Sequence, residues 1–117
     1  MQVKTRSESV DLTPGANSDI FLTITVGNAQ IGGSIVQFVD SPIIGKGDIE
    51  NLNLGKGSEL HGKALKVMTN ILDVNEQTNG VVVTYFFSSC TPPAIVFFDK
   101  VDNDGDIFSF DIEFNFQ

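Results

Sequence analysis

Tryptophan is absent from the 117 residues, and tyrosine, cysteine and histidine each occur once. With Cys90 as the lone cysteine no internal disulfide can form, which is compatible with a reducing compartment. Basic residues are scarce: seven Lys and Arg stand against fifteen Asp and Glu, a formal net charge of −8. Phosphate binding depends on clustered Lys and Arg, so nucleic acid is not an expected partner. Electrostatic docking to an anionic membrane is disfavoured for the same reason.

Long apolar runs are also missing. The longest is Ala94-Ile95-Val96-Phe97-Phe98, far short of the ~20 residues of a membrane helix. Residues 1–20 lack the apolar stretch of a secretory signal, and there is no Asn-x-Ser/Thr sequon. A soluble, cytoplasmic chain is the expectation, although a mature exported chain without its leader would read the same. No membrane insertion is expected.

What is present points to strands. Hydrophobic residues make up 41% of the chain and charged residues 19%, an ordinary balance for one globular domain over residues 1–117. Ten Phe stand among many Val, Ile and Thr, residues that suit a pleated, half-buried surface. Near the C-terminus Phe108, Phe110, Ile112, Phe114 and Phe116 alternate with Ser109, Asp111, Glu113 and Asn115. That two-residue period makes a strand with one aromatic and one polar face. Val81–Ser88 reads as a strand with Val81, Val83, Tyr85 and Phe87 on one side. Ala94–Val101, which opens with that apolar run, reads as a strand buried on both faces or at a sheet centre. Asp102-Asn103-Asp104-Gly105-Asp106 is hairpin-turn chemistry, so Ala94–Val101 and the C-terminal strand are expected to pair as a hairpin.

Further strands are expected at Val3–Leu12, Ile20–Val26 and Ile35–Val39, the last entered through Gly32-Gly33. Asp40–Gly62 is glycine-rich and long for a loop, with short extended pieces such as Ile49–Leu54. Between 58 and 74 two periods compete. Leu60, Ala64, Val67, Met68 and Ile71 follow helical spacing, whereas Val67, Thr69 and Ile71 are β-branched and an Asn-Gly turn follows at 79–80. Strand over Lys63–Val74 is the reading adopted; the alternative is an α+β domain with one helix near 58–74. The resulting fold class is all-β: an antiparallel two-sheet sandwich of about seven or eight strands, immunoglobulin-like or jelly-roll in type.

Candidate chemistry is sparse. Asp99, Asp102, Asp104 and Asp106 fall within eight residues, and hard cations such as Ca²⁺ take six to eight oxygens. An EF-hand is excluded: aligning Gly105 with that loop's glycine puts Lys100 at the first ligand position and Asp111, not Glu, at the last. If the last four strands are consecutive hairpins, the turns at 75–80 and 102–106 share one end of the sheet. Asp73, Asp102, Asp104 and Asp106 could then form a calcium site, as in calcium-dependent sandwiches that bind carbohydrate or lipid. The competing reading is a solvated acidic turn.

Gly57-Ser58-Glu59-Leu60-His61-Gly62-Lys63-Ala64 approaches the P-loop pattern, but Ala64 replaces the Mg²⁺-binding Ser or Thr. His61 and Cys90 fall at one end by the same alternation, which makes proximity of a nucleophile and a base possible without indicating it. No catalytic constellation emerges, and no resident cofactor is expected apart from that calcium alternative. Phe86-Phe87 and Phe97-Phe98 are adjacent pairs whose members face opposite ways. One of each must be covered by a helix, by the 40–62 loop or by another subunit, and loop cover is the plainer expectation. The functional expectation is a non-enzymatic binding or structural module acting through loops or strand edges, with a protein partner or a homo-oligomer; the alternatives are a calcium-dependent carbohydrate- or lipid-binding sandwich and, second, an enzyme without a recognisable motif.

Overall fold

The computed structural model describes residues 1–117, and almost all of its ordered backbone is extended. Ten strands arise in chain order: β1 (Val3–Pro14), β2 (Asp19–Val26), β3 (Ile31–Phe38), β4 (Ile43–Gly47), β5 (Leu52–Lys56), β6 (Ala64–Leu72), β7 (Gly80–Phe87), β8 (Cys90–Thr91), β9 (Ala94–Lys100) and β10 (Ile107–Phe116). A single helical turn, α1 (Gly57–Leu60), precedes β6. The strands form two sheets. The larger has the order β4-β3-β6-β10-β1-β8 and the smaller β5-β2-β7-β9. Face to face they make the expected all-β sandwich. No helix is long and apolar enough to cross a membrane.

The C-terminal strand lies near the middle of the larger sheet because it has the most apolar surface to bury. All five of its apolar alternates, Phe108 to Phe116, are buried. Across the sandwich they meet the inward face of β7: the rings of Tyr85 and Phe87 lie 5.1 and 4.8 Å from Phe114, both edge-on. Such edge-on pairs contribute about 0.5–1.5 kcal/mol each beyond their buried area. One cluster of 21 buried apolar residues fills the space between the sheets.

Residues 64–72 settle the competition of periods. Leu65, Val67, Thr69 and Ile71 are buried, whereas Lys66, Met68 and Asn70 are exposed, a two-residue alternation. Met68, needed for the helical stripe, points outward, so the α+β alternative falls and helix is confined to the single turn Gly57–Leu60.

Three expectations about pairing are corrected. β9 and β10 do not form a hairpin: β9 pairs only with β7, while β10 pairs antiparallel with β6 and parallel with β1. Likewise β6 and β7 lie in different sheets. Each of these connections crosses the sandwich, because both β7 and β10 carry apolar faces that must meet across the core rather than lie side by side. Second, β9 is an edge strand, not a central one. Ala94, Val96 and Phe98 are exposed, and only Ile95 and Phe97 turn inward against the core. Third, the 40–62 segment is no loose cover. Its β4 and β5 extend one edge of each sheet, and β5 lies at the opposite edge of the smaller sheet from β9. A close approach holds that segment in place: a Cβ at Gly57 would overlap the carbonyl of Gly15.

Candidate functional site

At the acidic end the crossing loops do come together. Asp73 N–H donates to the Asp106 carbonyl at 3.0 Å, Gly105 N–H to the Asp73 carbonyl at 2.9 Å, and Val101 N–H to the Asn79 carbonyl at 3.0 Å. The 73–80 and 101–106 turns therefore share one end although their strands are not hairpin partners, since each crossing also reverses the chain.

The residue that organises this end is Gln30, which the sequence pattern does not single out. Its Nε2 donates to Asp73 Oδ1 at 2.7 Å and to the carbonyls of Thr78 and Gly80. Its Oε1 accepts from the backbone N–H groups of Val74 and Asn75 at 2.8 and 2.9 Å. One buried amide thus ties the β2–β3 turn to the β6–β7 turn. The only sequence signal for it is a polar residue placed directly before an extended segment.

The four candidate ligands stand in four different settings. Asp106 accepts the backbone N–H groups of Gln2 and Asn103. These bonds, the Gln2 amide foremost, hold its carboxyl below the ordinary value against the opposing effect of desolvation. Asp102 forms an ion pair with Lys4 at 3.1 Å. Asp104 is exposed at the tip. Asp73 is 1% exposed, with Oδ1 bonded to Gln30 and Oδ2 without a partner. No three carboxylates, or other acidic, His or Cys groups, are gathered closely enough to hold a metal ion.

The opposite end carries His61 and Cys90. His61 is exposed beyond α1, whereas Cys90 is buried where β8 pairs with Thr13 and Pro14 of β1. Burial pushes the thiol up to about 11, far from the thiolate a nucleophile needs. The P-loop-like segment is likewise a single helical turn followed by Gly62 and a strand.

Two further features belong to the tertiary structure. A chain of buried hydroxyls runs from Ser34 to Thr69 at 2.8 Å and on to Tyr85 at 3.3 Å. Desolvation pushes the Tyr85 hydroxyl up to about 12; the Thr69 hydrogen bond opposes this and the charge of Asp111 adds to it. Ser34 also borders a cleft of about 280 Å³ between the sheets, walled by Ile24, Val26, Gly32, Asp48 and Ile49. That is slightly below the size of small-molecule pockets, about 300–1,000 Å³. The polar side chains of Gln30 and Ser34 at its wall already have partners within the protein.

The second feature is the outer face of the smaller sheet. Phe98 is 70% exposed, Phe86 and Val96 43% each. Register puts Val82 beside Phe98, Thr84 beside Val96 and Phe86 beside Ala94. The adjacent pairs thus split as alternation requires, with Phe87 buried and Phe97 packed on the core while Phe86 and Phe98 stand uncovered. A scan against family models found no match, and neither the curated proteins nor the solved structures searched gave a significant one.

The edge beside this face is guarded. Arg6 of β1 lies 5.2 Å over the Phe97 ring, donates to the Phe98 carbonyl at 3.1 Å, and pairs with Glu8 at 2.7 Å and Asp99 at 3.6 Å. An inward-pointing charge at an edge is a recognised block to strand addition.

Proposed function

We propose that this chain is a non-enzymatic binding module whose contact surface is the outer face of the smaller sheet. The observation that carries the reading is Phe98, a phenylalanine 70% exposed in a patch shared with Phe86 and Val96. Scattered apolar residues on a surface need no explanation, but a contiguous patch marks an interaction site. Two observations support a non-enzymatic reading: Cys90 is buried with its thiol held protonated, and at the acidic end Asp106 serves as a turn acceptor and Asp102 as an ion-pair partner.

The test is titration with an environment-sensitive apolar dye, comparing the unmodified chain with Phe98→Ser. A several-fold weaker response in the variant, with an unchanged circular dichroism spectrum, is expected. Equal dye binding by both proteins would sink the assignment of this face.

A further inference from the structure

We infer that the occupant of this face is a second copy of the same chain, packed sheet against sheet as a weak two-fold dimer. The inference rests on the proposed binding role of the face and adds the identity of the partner. Its first support is charge. Between Lys100 at one end of the face and Asp19 with Lys56 at the other, the outward positions of β2, β7 and β9 are Thr, Val, Phe and Ala. On a chain of net charge −8, a surface built for a basic partner would display the carboxylates; this one withholds them. Depletion of charge around aromatic residues is the compositional mark of an interface core. It is also the condition under which two equally acidic molecules can meet without opposing carboxylates at the contact.

The second support is geometry. An apolar sheet face can pack on another of its kind, as the two sheets of this sandwich do on each other; packed sheets lie about 10 Å apart. Because a two-fold contact uses the same patch on both copies, it closes at two. Arg6 keeps it closed. By binding the Phe98 carbonyl it occupies the free edge of β9, so growth by edge-to-edge pairing is obstructed while the face stays open.

Area sets the strength. The three strands β2, β7 and β9 at about 4.8 Å spacing, and seven residues at about 3.3 Å, give an uncharged face of roughly 14 by 23 Å. The pair would bury on the order of 650 Å², well below the roughly 1,200–2,000 Å² of stable complexes. The dimer is therefore transient, with a dissociation constant of roughly 10 µM or weaker.

Sedimentation of the full chain from about 10 µM to about 1 mM tests this across the range where such a constant shows. The mean mass should rise toward twice 12.7 kDa with concentration. It should rise further when salt increases from about 20 to about 500 mM, because screening relieves repulsion between like-charged copies; a partner held by opposite charge would weaken instead. Phe98→Lys, and independently Phe98→Ser, should stay monomeric. Met68→Lys, at a 41% exposed site on the outer face of the larger sheet, should dimerise as the unmodified chain does. A monomer at every concentration and salt, or equal disruption by Met68→Lys, overturns the dimer. If the chain stays monomeric while Phe98→Ser still weakens dye binding, the dimer falls and the face remains a docking surface for another protein. If dye binding is also unchanged, both readings fall.

Discussion

Gln30 and Asp73 lie 43 positions apart and are joined by a 2.7 Å hydrogen bond inside the protein. The same amide accepts two backbone N–H groups and donates to two carbonyls, so the β2–β3 and β6–β7 turns share a single side chain. Buried polar networks of this sort specify a structure when fully satisfied and weaken it sharply when broken.

Replacing Gln30 with alanine should therefore cost more than its position beside a turn indicates. The substitution strands the N–H groups of Val74 and Asn75 and leaves Asp73 with no side-chain partner. A loss of about 2–4 kcal/mol is expected, read from urea denaturation. A change below about 0.5 kcal/mol, the size of an ordinary surface substitution, would show that the network contributes little.

Asp106 makes an acid-side prediction. Its folded pKa is lowered, chiefly by the Gln2 amide, so the folded state favours the carboxylate more than the unfolded chain does. The resulting stability is fully present above the ordinary value of 3.8 and disappears as pH falls through the depressed folded value. Asp106→Asn should melt below the unmodified chain at neutral pH, with the gap closing in strong acid. Melting curves from neutral pH down to about pH 2 measure it; a gap independent of pH would contradict the assignment.

At high pH the signs reverse. Burial raises Cys90 from 9.0 to about 11 and Tyr85 from 10.0 to about 12. Both groups bind their protons more tightly when folded, so their stabilising effect is complete below pH 9 and is lost as pH rises through 11 and 12. Cys90→Ala should remove the earlier part of the alkaline decline, and Cys90 should react with a thiol reagent far more slowly in the native than in the unfolded chain. Equal reaction rates in the two states would show that the thiol is not shielded.

Calcium should leave the melting temperature where a salt control leaves it. Asp106 and Asp102 already have partners, Asp104 projects from the tip, and among buried side-chain oxygens only the Oδ2 of Asp73 lacks a partner. A site filled at a hundred times its dissociation constant would stabilise by about 2.7 kcal/mol, which is readily seen. A calcium-dependent rise that Asp73→Asn abolishes would restore the cation-binding reading of this end.

The alternations at 108–116 and 81–87 were legible because a strand with one buried face writes a two-residue period into the sequence. Residues 64–72 were legible for the same reason, once the β-branched Val67, Thr69 and Ile71 were weighed above a helical stripe. Ala94–Val101 was misread. Its run of apolar residues is what a strand buried on both faces shows, but here one face packs on the core and the other carries the uncovered Phe98. A run of apolar residues does not distinguish a strand covered by its own protein from one left open.

The sequence by itself determined the class of fold and the inward face of most long strands, which follow from local periodicity. The acidic turns were expected at one end on the premise of consecutive hairpins; they meet there instead because each chain crossing between the sheets reverses direction. Only the tertiary structure decided which sheet each strand joins, because pairing depends on apolar faces meeting across the core, and those faces come from distant parts of the chain. It also decided the work of the polar residues: Gln30 became a tie between turns, Arg6 a guard on an edge, and Asp106 an acceptor for a backbone far from it in sequence. Such roles depend on which donors and acceptors are brought within about 3 Å of each other, and no spacing along the chain records that distance.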